Sequence, residues 1–498
     1  GLVAGKSGEL FLQQAAQVPH EDEPVTVQKF DLDKRKTDKL LDGVNHFVVS
    51  FDGSKMLFAR KDDWHIVKTE AAPKDGGEGK IATEAMKVQV DPRQEWAQMY
   101  REVWRIQRDF FYDPHFHGLD LAAATTYFEP YLAGIGSRGD LDVLFRRMLA
   151  YLSVGHMFVR PPHDDDAPTA EIGLLGADYA VEHDRYRFAH IYDGENWNPD
   201  LHAPLTQPGV EVKTGDYLLA VNGRELHARD DVYALFEETV GRQTVLRVAG
   251  DSAGTGARNV TVVPVKEEHG LRHLAWLEAN RRKVDELSGG KLAYVHLPDT
   301  QNGGFTSFNR YFFAQTDKQG ALIDERYNHG GQLADYIVDY LRRPPMTRIT
   351  AREGETYTEP TQAIFGPKAM LINQFSGSGG DALPWYFKRM AIGPLIGKRT
   401  WGGLVGIGGY PPLLDGGSVT APRWALSGLK GEWEVENRGI APDIEVDDDP
   451  QLARAGHDAQ LERAVAYLMK ELADHPAPAY PTPPYPDFKP VLPAPAKP

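Results

Sequence analysis

The sequence predicts a multidomain protein that combines β-rich segments with one α/β domain. The chain has 498 residues, more than one ordinary domain holds, so three or four domains are expected. Short β-rich runs separated by turns occupy residues 1 to about 75, and a second β-rich stretch covers residues 170–267. From about residue 270 onward buried strands alternate with helical patterns, which is typical of an α/β sheet.

Composition excludes several classes of site and partner. The net charge of -16 argues against a nucleic-acid partner. The absence of cysteine excludes disulfides, thiolate metal sites and cysteine nucleophiles. No run of about 18 apolar residues occurs, so we expect no membrane partner, and no motif calls for a cofactor or a metal. The N-terminus lacks a signal-peptide pattern and does not begin with Met, so we expect a piece of a longer protein in the cytoplasm, with the periplasm as the alternative.

The first half of the chain divides by pattern into two segments. Strands at the spacing found in residues 1–75 indicate the truncated end of a β-propeller, and a small independent β-domain is the alternative. Residues 90–168 show helical periodicity and form a mixed domain. Within it, His115 and His117 lie two residues apart without a third ligand, so a structural turn is favoured over a metal site. His156, between a glycine and an apolar strand, is either a buried structural histidine or a general base.

Residues 170–267 resemble a PDZ domain. The stretch GLLG at residues 173–176 resembles the loop whose backbone N–H groups hold a peptide carboxylate. The stretch KTGDYLLAVNG at residues 213–223 predicts a turn, a strand and a tight Asn-Gly hairpin. Residues 230–238 are expected to form the helix of this domain.

A serine between glycines follows a buried strand of the α/β domain. The stretch NQFSGSGGD at residues 373–381 places Ser378 on a tight turn between this strand and a helix, a geometry that exposes a nucleophile. An N-cap serine in a glycine loop is the alternative. A second strand–glycine–helix unit contains Gly330 and Gly331, and two such loops side by side would supply N–H groups for an oxyanion.

Six stretches in order make the chain similar to the tricorn protease family, which is related to tail-specific peptidases. They are SVGH at 153–156, the PDZ-like run, DERYNHGG at 324–331, GSGGD at 377–381, KRTWGG at 398–403 and ENRGIAPD at 436–443. The resemblance implies a catalytic domain over 270–474 with a crotonase- or ClpP-like sheet. The proline-rich composition of residues 475–498 indicates an extended tail. It also implies a homo-oligomer, expected to be a hexamer.

The resemblance further implies a serine peptidase of unfolded oligopeptides. Ser378 corresponds to the nucleophile, His156 to its base and Glu436 to the carboxylate of the relay. The N–H groups of Gly379 and of Gly330 or Gly331 correspond to the oxyanion hole. A PDZ-type peptide-binding scaffold with a weakened catalytic centre is the alternative function, and a non-peptidase esterase is disfavoured because Ser376 replaces the first glycine of the usual elbow.

Two positions depart from the family pattern. Gly155 stands where the family usually has a serine that helps the relay. The region expected to form the substrate pocket, PMTRIT at 345–350, contains no acid. We therefore expect no preference for basic side chains, and Arg348 to favour apolar or acidic ones.

Overall fold

The computed structural model describes residues 1–14, 25–74, 77–162, 169–354, 356–476 and 480–489. The chain forms two compact units, residues 1–92 and 93–498, which are described separately. In the part of the chain so described, no helix is both long and apolar enough to cross a membrane.

The first unit consists of two antiparallel sheets. The first sheet has four strands in chain order, β1 Leu2–Ala4, β2 Glu9–Gln14, β3 Val25–Asp31 and β4 Lys36–Val44. The second has three, β5 His46–Val49, β6 Lys55–Arg60 and β7 Asp63–Lys68. Buried apolar side chains, among them Phe11, Val27 and Phe58, form one core. The origin of this segment in a propeller stays a prediction.

The second unit begins with a helical domain. Its elements are α1 Pro92–Phe110, α2 Leu121–Phe128, α3 Arg138–Ala150 and the short strand β8 Val159–Arg160. The Ser137 side chain accepts the Asp140 N–H, and the Asp140 carboxylate accepts the Ser137 N–H. This capping box sets the start of α3. Residues 163–168 of the predicted domain lie outside the described residues.

An antiparallel sheet follows over the PDZ-like stretch. Its strands are β9 Ala177–Glu182, β10 Arg185–Ile191, β11 Tyr217–Val221, β12 Arg224–Glu225, β13 Thr244–Ala249 and β14 Arg258–Val262. The order is β14-β13-β11-β10-β9, so β9 is an edge strand, and β12 pairs with β11.

The helix predicted over residues 230–238 is wrong. Only one 3₁₀ turn, Tyr233–Leu235, forms there. Glu237 pairs with Ile172 in a β-bridge, and the Glu238 N–H donates to the Glu171 carbonyl. These long-range backbone bonds take the groups that a helix would need, so the helix cannot continue.

The remaining residues form an α/β domain around a parallel sheet in the order β15-β16-β19-β20-β24. Its strands are β15 Leu292–His296, β16 Gly320–Asp324, β17 Thr347–Thr350, β18 Thr356–Glu359, β19 Lys368–Ile372, β20 Leu395–Gly397, β21 Val405–Gly406, β22 Ser418–Val419, β23 Trp424–Ala425 and β24 Ile444–Glu445. Its helices are α4 His269–Ser288, α5 Asn302–Phe313, α6 Ala334–Leu341, α7 Gly379–Arg389, α8 Pro450–Arg454 and α9 Ala459–Asp474. A break separates α8 from α9, because Gly456 adopts φ 87° and Asp458 caps a new helix.

Alternate residues of the sheet face two separate cores, as expected for a sheet covered on both sides. Ile323 and Ile372 point into a core with α5, α6 and α7, whereas Leu322 and Leu371 point into a core with α9. The carboxyl ends of β16 and β19 are neighbours, so the loops that follow them lie side by side. The crotonase-like detail of this sheet stays a prediction. Within the predicted tail, residues 477–479 and 490–498 lie outside the described residues.

Two short strands attach this domain to the helical domain. β22 pairs with β8, and Val419 is buried in the core of the helical domain. The stretch that contains His156 immediately precedes β8. Its position relative to the parallel sheet is therefore set by pairing between distant parts of the chain.

Candidate active site

Ser378 lies in the loop between β19 and α7, in a backbone conformation with φ 58° and ψ -114°. This conformation is rare for a residue with a side chain and costs about 1–3 kcal/mol, so the surrounding structure must impose it. The Gly377 N–H donates to the Asn328 carbonyl at 3.0 Å. A Cβ on Gly330 would lie 2.7 Å from the Ser378 Cβ, so the second glycine loop can approach the serine only because it lacks a side chain there.

Asp381 holds the serine turn from the first turn of α7. Its buried carboxylate accepts the Ser378 N–H at 2.9 Å and the Thr400 hydroxyl at 2.5 Å. It also accepts the N–H groups of Gly402 and Gly403 at 2.8 and 3.0 Å. Burial raises the pKa of this carboxyl, and the four donors oppose that shift. One carboxylate therefore joins the serine turn to the loop at residues 400–403.

His156 lines the same cavity as Ser378, although the two are far apart in the chain. The residue is 8% exposed and has φ 59°. Its carbonyl accepts the Thr420 hydroxyl, and its ring centroid lies 5.1 Å from that of Trp401. Its Nδ1 atom is buried and, among the described residues, has no hydrogen-bond partner. Burial lowers the pKa of this histidine below its ordinary value of 6.5, which favours the neutral imidazole.

Glu436 accepts two backbone N–H groups, one of which belongs to the residue just before His156. One of its oxygens accepts the Gly155 N–H at 2.6 Å, and the other accepts the Leu404 N–H at 2.5 Å. Burial raises the pKa of this carboxyl, and these two donors oppose the shift. Because the His156 Nδ1 atom has no partner within the described ranges, Glu436 does not bond to it directly. A Cβ on Gly155 would lie 3.1 Å from the nearer Glu436 oxygen, so a side chain at residue 155 would contact this carboxylate.

The glycine N–H groups near Ser378 are not equivalent. The Gly330 N–H already donates to the Asn328 side chain at 2.9 Å, which removes it from the predicted oxyanion hole. A Cβ on Gly379 would lie 2.7 Å from the Gly331 nitrogen and 1.9 Å from the Thr300 hydroxyl. The backbones of Gly331 and Gly379 therefore meet beside the serine at a distance that no larger residue permits.

The cavity at Ser378 has a volume of about 1520 Å³ and extends along two helices. Ser378, Ala382, Tyr386 and Met390 follow one another at intervals of four residues, and all of them line it. The facing helix is α6. It lines the cavity with three side chains, and the residue after it adds a fourth: Asp335, Val338, Asp339 and Arg342.

Arg348 does not line the cavity, so its predicted role in substrate binding is wrong. It lies in the hairpin of β17 and β18, where its guanidinium donates to the Tyr480 carbonyl. The cavity does contain acidic side chains, because Asp335 and Asp339 line it from α6 and not from the stretch 345–350. Asp339 forms an ion pair with Arg342 at 2.9 Å.

Three positioning residues were missed from the sequence. Asp381 is the last residue of the serine motif, and its place in the first turn of the predicted helix was the available signal. Asn437 adjoins Glu436 and donates from its side chain to the Ser153 carbonyl at 2.7 Å. Thr420 lies 264 residues from His156, and no local pattern indicates that contact.

Three family models match successive parts of the chain. The Tricorn protease C1 domain matches residues 92–150, the Tricorn protease PDZ domain matches 173–267, and Peptidase family S41 matches 291–446. Ser378, Glu436, Gly331 and Gly379 fall within the last of these ranges.

Curated relatives and a solved structure agree with these matches. Tricorn protease homolog 1 of Streptomyces coelicolor is 33% identical over 96% of this chain and 46% of that protein. Tricorn protease of Thermoplasma acidophilum is 28% identical over 89% of this chain and 41% of that protein. A crystal structure of the tricorn protease superposes with a TM-score of 0.85 at 25% identity, over 95% of this chain and 46% of that one. The chain spans about half the length of the curated relatives it matches. The chain therefore belongs to the tricorn protease family and contains its C1, PDZ and S41 peptidase domains.

Proposed function

We propose that this chain is a serine peptidase in which Ser378 is the nucleophile and His156 its base. The observation that carries the proposal is the shared cavity: a serine on a strained strand-to-helix turn and a buried histidine line it together. A serine hydroxyl needs a neighbouring base at neutral pH, and an imidazole is the side chain suited to take its proton and return it.

The proposed reaction has two stages. In the first, the Ser378 oxygen attacks the peptide carbonyl while His156 takes the hydroxyl proton. The negative charge that forms on the carbonyl oxygen is stabilised by the N–H groups of Gly331 and Gly379. Collapse breaks the C–N bond, and the imidazolium returns its proton to the leaving amine. In the second stage a water molecule, deprotonated by His156, releases the acyl group and restores the serine.

The role proposed for Glu436 is indirect. Its carboxylate holds the N–H groups of Gly155 and Leu404, and so it orients the stretch that carries His156. We propose unfolded oligopeptides as substrates, because a cavity of about 1520 Å³ that extends along two helices can accept an extended chain. The assembly proposed from the family resemblance is a homo-hexamer, which the mass of the purified protein in solution would test.

The unpartnered Nδ1 atom of His156 favours one alternative, a peptide-binding scaffold with little catalysis. Labelling with a fluorescent serine-directed phosphonate separates the two. We expect covalent labelling of the full chain, and its loss in both Ser378→Ala and His156→Ala. Ser252→Ala, a serine outside the cavity, is the control and should label normally. A folded protein that does not label would favour the scaffold.

Substitution of Gly155 by serine is expected to raise kcat/KM about tenfold. A Cβ at this position lies close to Glu436, at 3.1 Å from one oxygen, so the new hydroxyl would bridge that carboxylate and the free Nδ1 atom. The measurement is kcat/KM on a fluorogenic peptide. Gly155→Ala, which adds the same Cβ without the hydroxyl, is the matched control and should show no gain. Equal rates for the two variants would contradict the bridging role.

We expect kcat/KM to stay high at pH values below 6.5, where an ordinary histidine would already be protonated. His156 must be neutral to accept a proton, and burial lowers its pKa below 6.5. Activity is therefore fully present above this pKa and is lost as the pH falls through it. The acid limb of the profile on a neutral substrate is the measurement. A midpoint above 6.5 would show that His156 is not the titrating base.

A further inference from the structure

The carboxylate-binding loop of the PDZ domain, residues 173–176, is bonded to other parts of this chain. The loop directly precedes the edge strand β9, the position in which PDZ domains hold the terminal carboxylate of a peptide. The Gly173 N–H donates to the Phe236 carbonyl at 2.9 Å, and the Leu174 N–H donates to the Val265 carbonyl at 2.8 Å. The Gly176 N–H donates to the side-chain carboxylate of Glu268 at 2.9 Å.

Glu268 is the residue immediately before α4, the first helix of the catalytic domain. Its side chain is only 12% exposed, and its second oxygen accepts two bonds from the Arg272 guanidinium, at 2.9 and 2.5 Å. Arg272 also donates to the Asp178 carboxylate at 2.7 Å and to the Ala177 carbonyl at 3.4 Å. The first turn of α4 thus contacts both the loop and the start of β9.

An apolar side chain accompanies this carboxylate. Leu271 is 2% exposed, and its Cδ1 atom lies 2.8 Å from the point where a Cβ on Gly176 would stand. Gly176 has φ 70°, a conformation that suits glycine and brings the loop backbone against the leucine. A carboxylate on the loop N–H and a buried apolar side chain beside it are the two features by which a peptide terminus is recognised.

We propose that Glu268 and Leu271 are the internal ligand of the carboxylate-binding loop. They fasten the PDZ domain to the first helix of the catalytic domain, and the loop accepts no C-terminal carboxylate in the native protein. This domain then contributes to the placement of the catalytic domain and does not select substrates by their C-termini. The proposal is independent of the proposed peptidase chemistry.

Peptide binding tests the proposal in the full chain carrying Ser378→Ala, which prevents hydrolysis. Fluorescence anisotropy would compare a labelled ten-residue peptide ending in leucine with the same peptide amidated at its C-terminus. We expect the two affinities to agree within about twofold, since the Gly176 N–H already donates to Glu268 and is not free for a peptide carboxylate. A larger preference for the free carboxylate would overturn the proposal.

Hydrogen exchange of the Gly176 amide tests the internal contact itself. In Glu268→Ala this N–H loses its acceptor, and we expect its exchange to become at least about tenfold faster. Glu267→Ala removes the neighbouring exposed acid and should leave the rate unchanged. If Glu268→Ala does not fold, Glu268→Gln retains an acceptor oxygen but loses the charge paired with Arg272, and exchange should be about threefold faster. Unchanged exchange at Gly176 in the variant measured would refute the internal ligand.

Discussion

Replacing Ser378 by alanine is expected to lower kcat/KM on an oligopeptide by about 10⁴- to 10⁶-fold. His156→Ala should have a similar effect, because the serine without its base is no better a nucleophile than water. The double variant should be no slower than the slower of the two single variants. This non-additivity is the signature of two groups that act as one unit.

The measurement is kcat/KM from progress curves with one fluorogenic peptide for all variants. Ser252→Ala provides a control at a serine that does not line the cavity, and its rate should equal that of the native chain. Thermal unfolding of each variant would show that lost activity is not lost structure. A double variant that is slower by the product of the two single effects would show that Ser378 and His156 act independently.

Replacing Asp381 by alanine is expected to destabilise the catalytic domain by about 3–5 kcal/mol, because several buried donors lose their acceptor at about 1–3 kcal/mol each. Four donors, the N–H groups of Ser378, Gly402 and Gly403 and the Thr400 hydroxyl, would lose their common acceptor. Each buried donor left unsatisfied carries a desolvation cost. The strained conformation of Ser378 would lose one of its supports, so labelling by the phosphonate should fall as well.

Urea unfolding followed by the signal of the catalytic domain measures this effect. Asp335→Ala removes an exposed acid from the neighbouring helix α6 and should change stability by less than about 0.5 kcal/mol. Asp381→Asn should be intermediate, since an amide oxygen can accept from some of the four donors but its NH₂ group cannot. A native-like midpoint for Asp381→Ala would show that the network contributes little to stability.

Local patterns were sufficient to predict β16, β19 and the glycine loops that follow these two strands. β16 and β19 are fully buried along their length, and uninterrupted apolar runs before glycine turns are the pattern of such strands. The family was recognised from six short stretches in order, and the three domain models match the chain in that same order. These features depend on residues close together in the sequence, which is why the sequence was enough.

Long-range contacts decided the features that local patterns missed. The helix expected over 230–238 is replaced by backbone pairing with residues 171 and 172. The loop at residues 173–176 carries the expected glycines, yet the Gly176 N–H bonds Glu268, 92 residues away. Propensity and periodicity describe what a segment prefers by itself, and tertiary hydrogen bonds outweigh that preference.

Short motifs were enough to propose a nucleophile, a base and a carboxylate, because each of these residues lies within one such motif. Their arrangement depends on contacts between distant segments. Glu436 bonds the backbone of Gly155 and not the ring of His156, and Arg348 lies in a hairpin outside the cavity. The Gly330 N–H donates to Asn328 in the folded chain, so Gly331 and Gly379 are the glycines left beside the serine. A hydrogen bond forms only when its donor and acceptor are placed to within a few tenths of an ångström. Where those atoms belong to segments far apart in the chain, no local pattern records their placement.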